Sequence, residues 1–179
     1  MDDATAARDG VLFVTYGNGH IAKVAPVVKA LEARGVRCWV LALTLGFMQA
    51  RRMGLQPVGY KDFMHLVDAN KALAYGIKLW PENQHPDVDE LESCCYLGVN
   101  YLDWVETHGE EQAAQLYVRG GRRSFLPLRF MGRLIESLNP AVVVSTSSPR
   151  SEQAAIEAAV ARQVPSLTML DVFANPHET

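Results

Sequence analysis

Residues 11–16, Val-Leu-Phe-Val-Thr-Tyr, form an almost unbroken apolar, β-rich run that ends on Gly17-Asn18-Gly19. A strand that is apolar on both faces must be covered on both, as a parallel strand inside an α/β sheet is. Directly after it Ile21, Val24, Ala25, Val28 and Leu31 recur at helical spacing, with Lys23, Lys29, Glu32 and Arg34 facing elsewhere and Gly35 as a stop. The order is strand, loop, helix. Pro26 lacks an N–H and crowds the carbonyl of Ala22, so it should kink this helix or mark its true start.

The unit then repeats. Val36 to Leu43 is a second apolar run, followed by Thr44-Leu45-Gly46, a short helix through Arg52 and a weak third strand around Leu55 to Tyr60. Tandem βα units imply a parallel sheet with right-handed crossovers. From Lys61 to Leu138 the pattern is mostly helical, with breaks expected at Gly76, Pro81, Pro86 and Gly120-Gly121. A strand over Ala141 to Ser145 resumes the α/β pattern. Ser148-Pro149 then opens a helix rich in alanine (Ala154, Ala155, Ala158, Ala159), and Val164-Pro165 closes it before a strand over Ser166 to Leu170. The fold expected is one Rossmann-like α/β domain over residues 11–179, a parallel sheet flanked by helices. A helical excursion at about 61–138 separates its third and fourth strands, and residues 1–10 are expected to be a flexible N-terminus.

Composition narrows the functions. The 179 residues are 49 % apolar and 21 % charged, ordinary values for one globular domain. With 17 Lys plus Arg against 20 Asp plus Glu the net charge is −3, which argues against nucleic acid as a partner. Three cysteines, two of them adjacent (Cys94, Cys95), make neither a spaced disulfide framework nor a Cys-x-x-Cys metal site. No signal-peptide stretch opens the chain, and no apolar run approaches the ~18 residues of a membrane span. A cytoplasmic protein without a bound metal or cofactor is expected.

In a doubly wound sheet, the loops after strand one and after the Ala141 strand face each other where strand order reverses. They read Gly17-Asn18-Gly19-His20 and Ser145-Thr146-Ser147-Ser148, with Arg150 just beyond. Each precedes a helix N-terminus, a natural place for phosphate or sugar hydroxyls. The same residues also suit ordinary turning and N-capping. His20 sits where the positive end of a helix favours a neutral imidazole able to accept a proton; the competing reading is a histidine that bonds a neighbouring turn. Strand two ends Leu41-Ala42-Leu43-Thr44 with no carboxylate for a ribose, which argues against a dinucleotide site. There is also no Gly-Lys-Ser/Thr phosphate loop, His-Glu-x-x-His or Gly-x-Ser-x-Gly.

Strand one, Gly-Asn-Gly-His, Ile21 to Leu31 and the Arg34-Gly35 stop resemble the start of nucleotide-sugar enzymes of the GT-B fold. Gly-x-Gly-His is similar to inverting glycosyltransferases, and Lys23 to Leu31 is similar to UDP-N-acetylglucosamine 2-epimerases. Asn139-Pro140-Ala141-Val142-Val143-Val144, a helix and Val164-Pro165-Ser166 look like the late part of a GT-B N-terminal domain. The resemblance covers roughly residues 11–60 and 139–173. Where the epimerases have Gly-Asp-Thr and His-Val-Glu-Ala-Gly segments, this chain has Ser145-Thr146-Ser147 and Met169 to Phe173, so the transferase branch leads. The resemblance implies the acceptor-side half of a glycosyltransferase, inactive alone, that moves a sugar from a nucleotide-sugar donor to a sugar or lipid-linked hydroxyl. His20 would take the acceptor's proton, and Gly17, Asn18, Gly19, Ser145, Thr146, Ser147, Ser148 and Arg150 would meet substrate or phosphate. Most donor contacts would come from a C-terminal domain absent here or from a partner subunit. The alternatives are a 2-epimerase-like enzyme and a non-catalytic scaffold subunit.

Between Leu79 and Val118 lie nine acidic residues and no Lys or Arg, whereas Arg119, Arg122, Arg123, Arg129 and Arg133 fall in a stretch without acids, mixed with Phe125, Leu126, Leu128, Phe130 and Met131. Such a mixture suits the inner face of an anionic membrane or a pyrophosphate-linked acceptor. The alternative is that these arginines neutralise the acidic stretch inside one helical layer. Cys94-Cys95, Trp80 and Trp104 read as packing residues.

Overall fold

The protein is described over residues 7–146 and 150–169, in a computed structural model. Strands β1 (Val11–Tyr16), β2 (Cys38–Leu43), β3 (Pro57–Val58), β4 (Val142–Thr146) and β5 (Ser166–Met169) form one parallel sheet in the order β3-β2-β1-β4-β5. The reversal of strand order falls between β1 and β4, where Val14 lies opposite Ser145. Side chains alternate as the pleat requires: Leu12, Val14, Leu41 and Leu43 enter the core on one face, and Val11, Phe13, Val40 and Ala42 the core on the other. Both faces of β1 and β2 are buried, which is why these two strands read as continuous apolar runs.

Helices α1 (Gly17–Glu32) and α2 (Leu45–Arg52) cover one face through Ile21, Val24, Ala25, Val28 and Ala50. The expected glycine loop is absent: Tyr16 is the N-cap in extended geometry, and Gly17, Asn18 and Gly19 are already the first turn of α1. Pro26 is neither the start nor the end of this helix, which continues through it to Glu32.

The excursion between β3 and β4 runs through a 3₁₀ segment (Tyr60–Leu66), α3 (Ala69–Leu79), α4 (Glu90–His108), α5 (Glu110–Gly120), a turn at Gly121–Ser124 and α6 (Leu128–Leu138). With α7 (Ser151–Ala161) it covers the second face. Gly76, expected as a break, lies inside α3. A Cβ there would fall 2.0 Å from the Cys94 carbonyl oxygen of α4, and one on Gly98 would fall 1.8 Å from the Ala72 carbonyl oxygen of α3. The two glycines let the α3 and α4 backbones touch. The real break comes at Gly109, which separates α4 from α5 with a φ of +84°. The other punctuation holds: α3 ends before Pro81, α4 begins after Pro86 and α5 stops at Gly120.

Tyr60 is fully buried where the sheet meets the excursion. Its ring stacks on Phe130 of α6 with centroids 4.7 Å apart and meets Tyr96 of α4 edge-on at 5.3 Å. Its hydroxyl is 2.9 Å from Ser151 Oγ at the start of α7, and its N–H donates to Glu92 Oε1 of α4 at 2.7 Å.

Gly98→Ala is expected to destabilise the fold. The methyl improves helix propensity by about 1 kcal/mol, but a backbone carbonyl cannot yield as a side chain can, and overpacking of this kind costs about 2 kcal/mol or more. Thermal denaturation should show a midpoint lower by roughly 2–4 °C or more. Gly19→Ala, on the same argument, has nothing within 4 Å of its added Cβ and should leave the midpoint unchanged or slightly raised.

Candidate functional site

The carboxyl ends of β1 and β4 bring three polar side chains together. His20 lies in the first turn of α1, Thr146 ends β4, and Glu152 is the second residue of α7. Glu152 is completely buried, yet Oε1 is well used: it accepts from the Tyr16 N–H at 3.2 Å and from the Thr146 hydroxyl. His20 Nδ1 is 2.5 Å from Thr146 Oγ1 and 3.5 Å from Glu152 Oε1, with the imidazole 31 % exposed.

This chain of bonds assigns the tautomer. The Thr146 proton goes to Glu152, so Thr146 Oγ1 is an acceptor toward His20 and Nδ1 carries the hydrogen. In the neutral ring the lone pair is then on Nε2, and proton exchange with a bound molecule runs through that atom. A carboxylate 3.5 Å from Nδ1 favours the imidazolium that results.

Sequence reasoning missed Glu152. A glutamate in the first turn of a helix looks like an ordinary response to the dipole. The available signal was its place, in the helix that follows the strand beside β1.

The other expected residues divide. Gly17 lines a cavity of about 160 Å³ beneath the ends of β1 and β2, whereas Gly19 is exposed on the same helical turn as Asn18. Ser145 is buried in the sheet, with Oγ 3.4 Å from Thr168 Oγ1 of β5. Ser147 and Ser148 lie outside the described residues. Arg150 adopts a φ of +73°, rare for a side chain with a Cβ, and its guanidinium lies 4.2 Å from the centre of the Tyr16 ring. Thr44, at the rim of the cavity, has a φ of +54°, a strained conformation for a β-branched residue.

The five excursion arginines do not form one patch. Arg129 and Arg133, one turn apart on α6, both bind Glu106 of α4, at 3.3 and 2.6 Å. Neutralisation within the helical layer thus accounts for these two. Arg119, Arg122 and Arg123 border an open groove, and the last two also wall a cleft of about 350 Å³ with Tyr16 and Arg150.

Several of the acidic residues are structural. Asp103 is buried and accepts the Phe130 N–H at 2.7 Å; burial raises its carboxyl from 3.8 to about 6. Asp89 caps α4 by accepting the Glu92 N–H at 2.9 Å. Glu92 accepts the Tyr60 and Lys61 N–H groups and borders the cavity. Cys94 and Cys95 are buried in α4, where burial raises both thiols and pushes Cys95 up to about 12, and Trp104 packs on Phe125 at 4.8 Å. Among the described residues no group of three or more His, Cys, Asp and Glu side chains is placed to hold a metal, and no helix is long and apolar enough to cross a membrane. No protein-family model matches the chain, and no match is found among curated proteins.

Burial lifts the Glu92 carboxyl from its ordinary 4.5 to about 7, with the two backbone donors and Lys61 pulling the other way. The folded chain therefore binds this proton more tightly than the unfolded chain does. Its contribution is full below about pH 4.5 and is lost as pH rises toward 7. Urea unfolding should report a Glu92 contribution on the order of 2–3 kcal/mol larger at pH 5 than at pH 8. Glu92→Gln, less stable at pH 5 because one backbone donor loses its acceptor, should flatten that slope; an unchanged slope would assign the pH dependence elsewhere.

Proposed function

We propose that the cleft between β1 and β4 is the acceptor side of a glycosyl-transfer site. The observation that carries this reading is the Glu152–Thr146–His20 chain, which presents Nε2 as a base at a switch point of an α/β sheet, the usual ligand position in such folds. An acceptor hydroxyl attacks the anomeric carbon of a nucleotide-sugar as His20 Nε2 takes its proton. The new C–O bond replaces the bond to the diphosphate, which leaves with the electron pair, and the imidazolium is held by Thr146 and Glu152. In enzymes of the GT-B fold a second Rossmann-like domain holds most of the donor, so the reading has the donor bound mainly by another domain or subunit. The acceptor is a sugar or a lipid-linked sugar. Arg119, on the open groove outside the Tyr16 cleft, suits contact with an anionic membrane surface on the cytoplasmic side, where a basic residue contributes about 1 kcal/mol.

The test is transfer of labelled sugar from nucleotide-sugars, by the chain alone and mixed with a donor-binding Rossmann-like protein. Transfer only on mixing supports the proposal. Turnover of UDP-sugar by the chain alone would favour an epimerase-like or hydrolytic enzyme, and an acceleration that survives loss of His20 would favour a scaffold. In the active assembly His20→Ala is expected to lower turnover ~10²–10⁴-fold. Glu152→Gln should lower it less and shift the acidic limb of the pH–rate profile, because the carboxylate acts through the ring.

A further inference from the structure

Three guanidinium groups meet at the carboxyl end of β1 from two distant parts of the chain. Arg122 and Arg123 come from the turn after α5, and Arg150 from the residue before α7; with Tyr16 they wall the 350 Å³ cleft. Four arginines of the protein pair with acids: Arg129 and Arg133 share Glu106, Arg162 reaches Glu136 and Arg37 reaches Asp9. Among the described residues Arg122, Arg123 and Arg150 have no such partner. Like charges around one cleft repel, and an anion between them turns the repulsion into charge-assisted hydrogen bonds. Planar guanidinium groups match a phosphate's oxygens in pairs.

A second observation comes from the adjoining cavity, which shares Tyr16 and Arg122 with the cleft. Tyr96 lines it, 6 % exposed, and its hydroxyl has no hydrogen-bond partner among the described residues. Arg150 and Arg122 come near enough to ease ionisation of the phenol. Burial outweighs both and keeps the group an O–H at neutral pH, pushed up to about 12. A buried hydroxyl left unmatched costs about 1–3 kcal/mol, which a ligand's polar atom would recover. The cavity's 160 Å³ is close to the ~150 Å³ that accommodates a single six-membered ring.

We infer that the arginine cleft seats a phosphate group and that the cavity beside it takes the ring of the same molecule, so that the ligand is a phosphate ester of one sugar-sized ring. The assignment rests on reading this cleft as a ligand site and adds the ligand's charge and size; it does not depend on proton transfer at His20.

The experiment is calorimetric titration of the full chain with glucose 1-phosphate, inorganic phosphate and glucose as probes. Both phosphates should bind, the sugar phosphate more tightly, and glucose should not. Arg122→Gln with Arg123→Gln should weaken both at least tenfold at an unchanged melting temperature, and Tyr96→Phe should weaken only the sugar phosphate. Unchanged affinity in the double arginine variant, equal binding of glucose and its phosphate, or no binding of either phosphate would overturn the inference. A parallel arm uses phosphatidylglycerol vesicles: arginine-dependent sedimentation without binding of the soluble phosphates would assign the arginines to a lipid surface and likewise overturn it. His20→Ala should leave phosphate binding intact. Phosphate binding that persists where transfer is never found would sink the proposed transfer and leave the phosphate site standing.

Discussion

Tyr60 is the point at which the excursion is fastened to the sheet. Its position is set by two backbone-directed bonds to the Glu92 carboxylate, one from its own N–H and one from that of Lys61. Gly59 completes the arrangement, since a Cβ there would lie 2.3 Å from Glu92 Oε2. The ring then fills the space between α4 and α6, and the hydroxyl reaches the first residue of α7. A single side chain thus relates β3, two excursion helices and the helix that carries Glu152. Stacking and edge-on contacts of this kind are worth about 0.5–1.5 kcal/mol each beyond the area they bury. Their greater effect is to fix where α7 begins.

That start matters because Glu152 is one residue beyond Ser151. The carboxylate is buried at the one place where it can accept from the end of β1 and the end of β4 together. A buried carboxylate is tolerated when it is hydrogen-bonded, and here the bonds to Oε1 also orient His20. The histidine side chain, contributed by α1, is therefore positioned by the opposite layer of the domain. The catalytic proposal, the arginine cleft and the cavity all draw on this junction, with Tyr16 as their common wall.

Local periodicity made the framework readable. Val11–Tyr16, Val36–Leu43 and the Ile21–Leu31 stripe carry their burial pattern in the sequence, and the placing of the Ala141 strand beside strand one follows from the order of the units. Close approach left no such trace. Gly76 reads as a helix breaker, and Gly98 carries no mark at all, because the reason for each is the carbonyl of a neighbouring helix, which no local pattern reveals. Gly17-Asn18-Gly19 reads as a loop because the helix begins at once, without the polar cap that usually marks a start. In the site, His20 and Thr146 were legible from their position after parallel strands. Ser145 lies buried in the sheet because its side chain faces Thr168 of β5, a pairing that the local sequence does not reveal. The arginine run divided along a line the sequence did contain: Arg129 and Arg133 are four apart on one helix and so share a face, while Arg122 and Arg123 precede that helix.

The glycine contact between α3 and α4 also bears on how a molecule would enter and leave. Helices that touch through their backbones have no side-chain cushion to shear, so α3 and α4 move as one body. The wall of the cavity that can yield is then the irregular stretch of residues 83–89, where Asn83, His85 and Val88 face the space. Exchange through that stretch, and not the chemistry at the sheet, would set the residence time of anything held inside.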